Sequence, residues 1–251
     1  MRLALGIEYD GTLYHGWQSQ PDRSSVQATL EQALSCVADQ PIQVMCAGRT
    51  DARVHALEQV VHFDTTANRK PIAWVFGTNT ELPSSIAVKW MREVSEDFHA
   101  RYSAVQRHYE YIIDNSPTRS ALWCQRMAWE RRTLDAERMH LAAQHLLGEH
   151  DFSAFRASSC QAKTPVRHMT RVDVERHGHR IVVSLSANAF LHHMVRNIVG
   201  VLLHIGKGEA EPEWVNTLLD SRDRKQAANT APACGLYLAK VDYPSTLLTR
   251  P

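Results

Sequence analysis

Alternating apolar and polar residues in the first part of the chain predict strands separated by helical segments. Residues 3–9 alternate and end in the turn pair Asp10-Gly11, so we expect a strand followed by a turn. Ser24 and Gln27 form a capping box, and the apolar spacing after it indicates a helix over residues 26–37. Extended runs over residues 42–46 and 60–64, a helix over 71–79 and a strand over 86–94 follow. This β-α-β-β-α-β order is the ferredoxin-like plan.

The second part of the chain repeats a similar order of elements. A strand is expected over residues 107–113, and a helix from an Asp135 cap to Gly148. Further predicted elements are strands near residues 172–175 and 181–187, a helix with buried positions between 194 and 203, and a strand over 236–243. The seam between the two parts lies near residues 104–106. We therefore predict an α/β protein of the α+β type, with an N-terminal subdomain of residues 1–105 and a C-terminal subdomain of residues 106–251.

Composition narrows the class of protein without indicating its activity. The 251 residues are 44% hydrophobic and 22% charged, as in ordinary globular proteins. We expect no membrane span, because no apolar run approaches the ~18–20 residues that a bilayer requires. Five cysteines without a Cys-x-x-Cys pair argue against a disulfide framework or a zinc cage. A cytoplasmic location is the expectation.

Charge is distributed in clusters although the net charge is only +1. The basic clusters are Arg126, Arg131 and Arg132; Arg167, His168, Arg171, Arg176, His177, His179 and Arg180; and Arg222, Arg224 and Lys225. Such runs usually form solvated faces, but several in one chain are also compatible with a surface that follows phosphates. The pairs His192-His193 and His177-Gly-His179 have no carboxylate or cysteine at ligand spacing, so no metal site is expected.

The segment of residues 46–56, here called the Asp51 loop, contains the leading candidate for chemistry. It reads Cys-Ala-Gly-Arg-Thr-Asp-Ala-Arg-Val-His-Ala and places Asp51 between Arg49 and Arg53. Neighbouring cations lower the pKa of a carboxyl group and favour its charged, nucleophilic form. The alternative is a solvated ion pair, which contributes only about 0–1 kcal/mol.

The Asp51 loop resembles the motif that carries the essential aspartate in tRNA pseudouridine synthases of the TruA type. Four further segments resemble motifs of that family in the same order along the chain. They are residues 8–20, beginning Glu-Tyr-Asp-Gly-Thr; residues 98–104 with Tyr109; residues 187–200, which include Met-Val-Arg-Asn-Ile; and residues 230–238, which include Cys-Gly-Leu-Tyr-Leu. Together the five segments extend the resemblance over nearly the whole chain.

The resemblance implies a fold, a reaction and partners. The fold would be two ferredoxin-like subdomains that share a bent, mainly antiparallel sheet, with helices on the outer face and an active-site cleft between them. The enzyme would isomerise uridine to pseudouridine at positions 38, 39 and 40 of the tRNA anticodon stem-loop. The reaction oxidises nothing and transfers no group to another molecule, so no cofactor or metal is implied. The partners would be tRNA and a second copy of the chain in a homodimer.

The resemblance also implies a role for each matching residue. Asp51 would be the nucleophile, and attack on C1′, attack on C6 and a glycal route all stay open. Arg196 would pair with Asp51, and Tyr109 would stack on the flipped base and offer a proton acceptor. Leu236 would form an apolar wall. Arg49 would occupy the space left by the extruded uridine, since a base inside a stem is otherwise out of reach.

Position 53 departs from the family, which usually has glycine after Thr-Asp-Ala. If this turn requires a positive φ, Arg53 costs about 1–2 kcal/mol. If φ is ordinary, the side chain adds a phosphate contact or a second cation near Asp51, so Arg53 is retained as a substrate-binding candidate.

Two other classes of function stay open at this stage. One is a non-catalytic protein that binds or folds tRNA on the same scaffold. The other is a carboxylate-dependent glycosidase or nuclease. Pseudouridine formation in tRNA without added metal or nucleotide separates these from the isomerase.

Overall fold

A computed structural model describes residues 1–248, which fall into two compact units. The first unit comprises Met1–Val105 and the chain from Tyr237 onward, and the second comprises Gln106–Leu236. Both units combine helices with mainly antiparallel strands, which confirms the predicted α/β fold class. None of the helices within residues 1–248 has the length and apolar character that crossing a membrane requires.

The first unit is built on a mainly antiparallel set of strands. These are β1 (Arg2–Tyr9), β2 (Met45–Cys46), β3 (His55–Asp64), β4 (Ile86–Val94) and β10 (Leu236–Asp242), whose part from Tyr237 onward belongs to this unit. β1 lies antiparallel between β3 and β4, and β2 pairs antiparallel with β3. β10 pairs with β3 in parallel through Tyr237 and Leu238. β1 is buried along almost its whole length, and at Gly6 the Trp90 indole occupies the place of a side chain.

The helices of the first unit differ in two details from the prediction. Helix α1 (Val26–Ala38) is capped by Ser25, whose hydroxyl accepts the Ala28 N–H, and not by Ser24. The predicted helix over residues 71–79 is helical but has π geometry at Ala73–Gly77 before α2 (Thr78–Glu81). Trp74 in the π segment is fully buried and packs edge-on against Phe63. The packing of this side chain in the core therefore constrains the backbone of the turn.

The second unit has its own, mainly antiparallel strands. They are β5 (Gln106–Asp114), β6 (Ala128–Trp129), β7 (Gly148–Asp151), β8 (Val166–His177) and β9 (Arg180–Ala187). β9 lies between β5 and β8, β7 pairs with the outer side of β8, and β6 runs parallel to the end of β5. A two-residue turn containing Gly178, with φ of +61°, joins β8 to β9.

Three helices pack in the second unit: α3 (Ala136–Gln144), α4 (Met194–Gly206) and α5 (Trp214–Ser221). The Asp135 cap of α3 is confirmed, because its carboxylate accepts the N–H groups of Glu137 and Arg138. The predicted end of α3 at Gly148 is wrong, since that glycine begins β7 with φ of +94°. α4 packs on α3 where Gly206 meets the Met139 side chain. Helix α5 had no counterpart in the prediction.

Candidate active site

The Asp51 loop begins at the end of β2 and enters β3, and hydrogen bonds fix its first residues. The Ala47 N–H donates to the Val60 carbonyl at 2.8 Å. The fully buried Gln59 side chain brackets Gly48: its amide donates to the Gly48 carbonyl at 2.5 Å and its oxygen accepts the Gly48 N–H at 3.3 Å. The backbone that leads to Asp51 is therefore held before any substrate binds.

A tight turn over residues 51–54 follows the aspartate. The Val54 N–H donates to the Asp51 carbonyl at 3.1 Å, and the Arg53 N–H donates to the Tyr14 carbonyl at 3.3 Å. Arg53 has φ of +64°, so the turn does adopt the conformation that favours glycine. The Arg53 side chain is exposed, as is that of Arg49, and Asp51 between them is half-buried.

Residues 9–17 contact the Asp51 loop at Thr50 and hold it in place. The Trp17 N–H donates to the Thr50 carbonyl at 3.0 Å, and the hydroxyls of Tyr9 and Thr50 are hydrogen-bonded at 2.7 Å. Gly16 has φ of +101°, and a Cβ at this position would lie only 2.8 Å from the Thr50 carbonyl oxygen. The loop backbone thus approaches residue 16 so closely that a side chain has no room there. The sequence marked this segment as a family motif but did not show this role.

His55 connects three parts of the first unit at the start of β3. It is almost fully buried, and its Nδ1 accepts the Gly11 N–H at 3.0 Å and lies 3.2 Å from an Asp10 carboxylate oxygen. Its ring stacks on Tyr237 of β10, with centroids 4.7 Å apart. His55 therefore ties the C-terminal end of the Asp51 loop to the turn after β1 and to β10.

The thiol of Cys46 is protonated, although Cys46 is the first residue of the Asp51 loop. Burial of the thiol raises the pKa of Cys46 to about 12, although the positive charge of Arg49 acts in the opposite direction. Because thiolates are the reactive form of cysteine, this thiol is inert at neutral pH.

Arg196 lies in the first turn of α4 in the second unit. Its Nε donates to the Ala231 carbonyl at 2.9 Å, and its own carbonyl accepts the Ala231 N–H at 3.1 Å. A cation in the first turn of a helix faces the positive end of the helix dipole, which costs about 0.3–1 kcal/mol at an exposed site. The hydrogen bond to the Ala231 carbonyl holds the guanidinium at this end of the helix despite that cost.

Tyr109 is a half-buried residue of β5. Its neighbour across the strand pair is Leu185 of β9, and its ring packs edge-on against Phe190 with centroids 4.9 Å apart. Aromatic contacts of this kind restrict the ring without covering it completely.

Tyr111, which the sequence did not single out as a site residue, organises the segment of residues 231–236. Its hydroxyl donates to the Pro232 carbonyl at 2.8 Å, and burial raises its pKa while the charge of Arg196 lowers it. Gly235 packs directly on the Tyr111 ring, and the buried Leu236 follows. One segment, residues 231–236, thus contacts Arg196 through Ala231, packs on Tyr111 and leads into Leu236.

The candidate residues are divided between the two units. Arg49, Asp51 and Arg53 lie on one loop of the first unit, and Tyr109, Arg196 and Leu236 lie in the second.

A family model described as tRNA pseudouridine synthase matches residues 6–103 and 142–244, which include all six candidate residues except Tyr109. The chain belongs to the tRNA pseudouridine synthase family. Membership confirms the resemblance seen in the five motifs and identifies the chain as an isomerase that acts on tRNA.

Similar proteins extend this family relationship over almost the full chain. The tRNA pseudouridine synthase A of Aliivibrio salmonicida (strain LFI1238) is 57% identical over 97% of this chain and 93% of its own length. The proteins of the same name from Vibrio atlanticus (strain LGP32) and Vibrio parahaemolyticus serotype O3:K6 (strain RIMD 2210633) are 55% and 54% identical, each over 97% of this chain and 92% of their own length.

Proposed function

We propose that this tRNA pseudouridine synthase isomerises uridines 38, 39 and 40 of the anticodon stem-loop, with Asp51 as nucleophile and without a cofactor. The observation that favours this proposal most directly is that hydrogen bonds and close packing hold the backbone of the Asp51 loop. Gln59 is hydrogen-bonded to the backbone before Asp51, and Trp17 and Gly16 contact the backbone of the loop at Thr50. A nucleophile on a fixed backbone needs little reorganisation to reach its attack geometry.

The reaction balances within the substrate itself. The N1–C1′ bond of uridine breaks, the base reorients, C5 bonds to C1′ and the C5 proton leaves, while a proton is gained at N1. The protein must therefore supply a nucleophile, hold the detached base and accept a proton. None of these steps consumes an oxidant, a reductant or a metal-bound group.

The remaining candidates have proposed roles in those steps. Arg196 is to hold the Asp51 carboxylate charged and oriented, a role that agrees with a cation in the first turn of α4. Tyr109 is to stack on the base and accept the C5 proton, and Leu236 is to supply an apolar wall. Arg49 and Arg53, both exposed, are to contact the RNA, with Arg49 in the space that the flipped uridine leaves.

Two further parts of the proposal concern the setting of the enzyme. We expect a homodimer, so that one tRNA contacts both copies, as the family resemblance implies. A cytoplasmic location follows from the same proposal, because that is where its tRNA substrate would be modified.

The test replaces Asp51 with asparagine and maps pseudouridine in unmodified tRNA, without added metal or nucleotide. We expect Asp51→Asn to abolish modification at positions 38–40 while tRNA binding is largely kept, because the amide preserves the shape of the carboxylate but not its nucleophilicity. Asp39→Asn is the matched control. This exposed aspartate ends α1 with φ of +55°, a conformation that asparagine also tolerates, so full activity is expected.

The outcomes separate the alternatives. Turnover retained by Asp51→Asn would contradict the role of Asp51. Binding without pseudouridine formation by the wild type would favour a non-catalytic tRNA-binding protein, and free base or broken chains would favour a glycosidase or nuclease.

A further inference from the structure

Residues 98–103 present the aromatic ring of Tyr102 to solvent from a hydrogen-bonded turn of the first unit. Phe98 and Ala100 in this turn are fully buried, whereas Tyr102 is 76% exposed. A tyrosine displayed beside buried neighbours is available for contact with another molecule.

Hydrogen bonds hold this turn in one conformation. The Nδ1 of His99 accepts the N–H groups of Arg101 and Tyr102 at 3.1 and 3.3 Å. His99 and Ser103 are joined twice, through the Ser103 N–H to the His99 carbonyl and the His99 N–H to the Ser103 hydroxyl, each at 2.9 Å. The turn has little conformational entropy left to lose when a ligand binds to it.

The same turn is anchored to the core of the first unit. The Ala100 N–H donates to Nδ1 of His62 on β3 at 3.1 Å, and the Ala100 carbonyl accepts the Tyr243 hydroxyl at 2.6 Å. Phe98 packs on the Tyr243 ring, with centroids 5.0 Å apart. Tyr102 is therefore carried by a rigid support.

The surroundings of the Tyr102 ring combine stacking with positive charge. The His99 ring lies 4.4 Å from it, and the guanidinium carbon of Arg101 lies 5.6 Å from its centroid. Arg101 and Arg49 both act on Cys46, lowering the pKa of its thiol against the effect of burial. The turn also lies close to the start of the Asp51 loop, because Ala100 contacts His62, and His62 pairs across the β2–β3 ladder with Met45, which precedes the loop and is exposed.

We propose that Tyr102 and Arg101 form a stacking subsite for a tRNA nucleotide that flanks the target uridine. The base lies on the Tyr102 ring, and Arg101 neutralises the adjoining phosphate. Aromatic side chains bind any base through its π-face, and cations beside them follow the backbone, so this pairing suits nucleotides that flipping has partly unstacked. The subsite rests on the proposed function and extends it to the RNA around the reacting base.

The test measures binding of unmodified tRNA in an Asp51→Asn background, where no turnover occurs. Tyr102→Leu removes the ring at similar volume, and we expect the Kd to rise about tenfold, since stacking contributes ~1–3 kcal/mol per base. Tyr102→Phe keeps the ring and should stay within about twofold of the parent. Arg101→Gln should reduce the magnitude of the slope of log K against log salt by about one, which is the contribution of a single phosphate contact.

Phe76→Leu is the matched control, because Phe76 is a similarly exposed aromatic (67%) of the same unit. Its tRNA binding should not change. Equal affinities for Tyr102→Leu and Tyr102→Phe would overturn the subsite, as would a Tyr102→Leu protein whose mass in the absence of tRNA falls to that of a single chain, which would assign the ring to a protein interface.

Failure of this inference is distinguishable from failure of the proposed function. Pseudouridine mapping with the wild type tests the reaction alone, and the comparison of Tyr102→Leu with Tyr102→Phe tests the subsite alone. If binding depends on the ring but no pseudouridine forms at positions 38–40, the proposed function is wrong and the nucleotide subsite stands.

Discussion

Arg53 adopts a strained backbone conformation in the Asp51 loop. Its φ of +64° lies in the region that glycine adopts without penalty, whereas side chains with a Cβ pay about 1–2 kcal/mol there. The turn is kept because Val54 closes it onto Asp51 and Tyr14 accepts the Arg53 N–H. The surrounding hydrogen bonds therefore decide the conformation against the preference of the residue.

We expect Arg53→Gly to raise the free energy of unfolding by about 0.5–1 kcal/mol, measured by urea denaturation. Relief of the strain is offset in part by the greater freedom of glycine in the unfolded chain. Arg53→Ala keeps the Cβ and should give no such gain. If Arg53 contacts phosphate, both variants should bind tRNA with a shallower salt dependence, and a difference between them in that slope would contradict this role.

At the scale of elements, the segment of residues 9–17 and the Asp51 loop form one unit of support. The loop is joined to this segment by the Trp17 N–H, the Tyr9 hydroxyl and the Tyr14 carbonyl. Gly16 makes the contact possible because its backbone touches that of Thr50. The position of Asp51 thus depends on a segment far from it in sequence.

Gly16→Ala should move the Asp51 loop, because its Cβ would meet the Thr50 carbonyl oxygen at 2.8 Å. We expect single-turnover modification to slow by about tenfold or more, since misplacement of a catalytic group by ~1 Å can cost 10²-fold. Gly178→Ala is the control: that glycine also has a positive φ, but no atom lies within 4 Å of the added Cβ. It should lose stability and keep its rate at saturating tRNA; equal rates in the two variants would contradict the proposed support.

At the scale of the whole molecule, pH acts on stability through His62, which is buried and only 4% exposed. Burial lowers its pKa to about 4, with further lowering by His99 and Arg2, while Asp64 and the Met45 backbone raise it. The neutral ring accepts the Ala100 N–H, and this bond is lost when Nδ1 is protonated. A histidine with a depressed pKa stabilises the fold above its unfolded pKa of about 6.5.

The free energy of unfolding should therefore fall as pH is lowered from about 6.5 to about 4. The difference of about 2.5 pKa units corresponds to about 3 kcal/mol as an order of magnitude. His62→Asn offers an acceptor at a similar position and does not titrate in this range. Urea denaturation between pH 4 and 8 should show a smaller slope for His62→Asn than for the wild type, and parallel curves would exclude His62 as the source.

The local pattern of the chain was sufficient for most of its regular elements and for the choice of its main candidate residue. The apolar pattern located β1, β4 and α4 because each of them buries its apolar side chains in the core. The motif around Asp51 indicated a tRNA-modifying isomerase, and the family match agrees with it. The roles of the individual site residues stay predictions.

Other features were decided only by contacts between residues distant in sequence. Gly148 looked like the end of a helix, but pairing of Gly148–Asp151 with β8 makes it the start of a strand. Three contacts have no signal in the local sequence. They are the hydrogen bonds of Gln59 with Gly48, the hydrogen bond from Tyr111 to Pro232 and the close approach of Gly16 to Thr50. The sequence by itself thus determined most of the regular segments and the family that the chain resembles, because these depend on local periodicity and motif. Tertiary structure decided how the loop that carries Asp51 is held, because packing and long-range hydrogen bonds outweigh local preference.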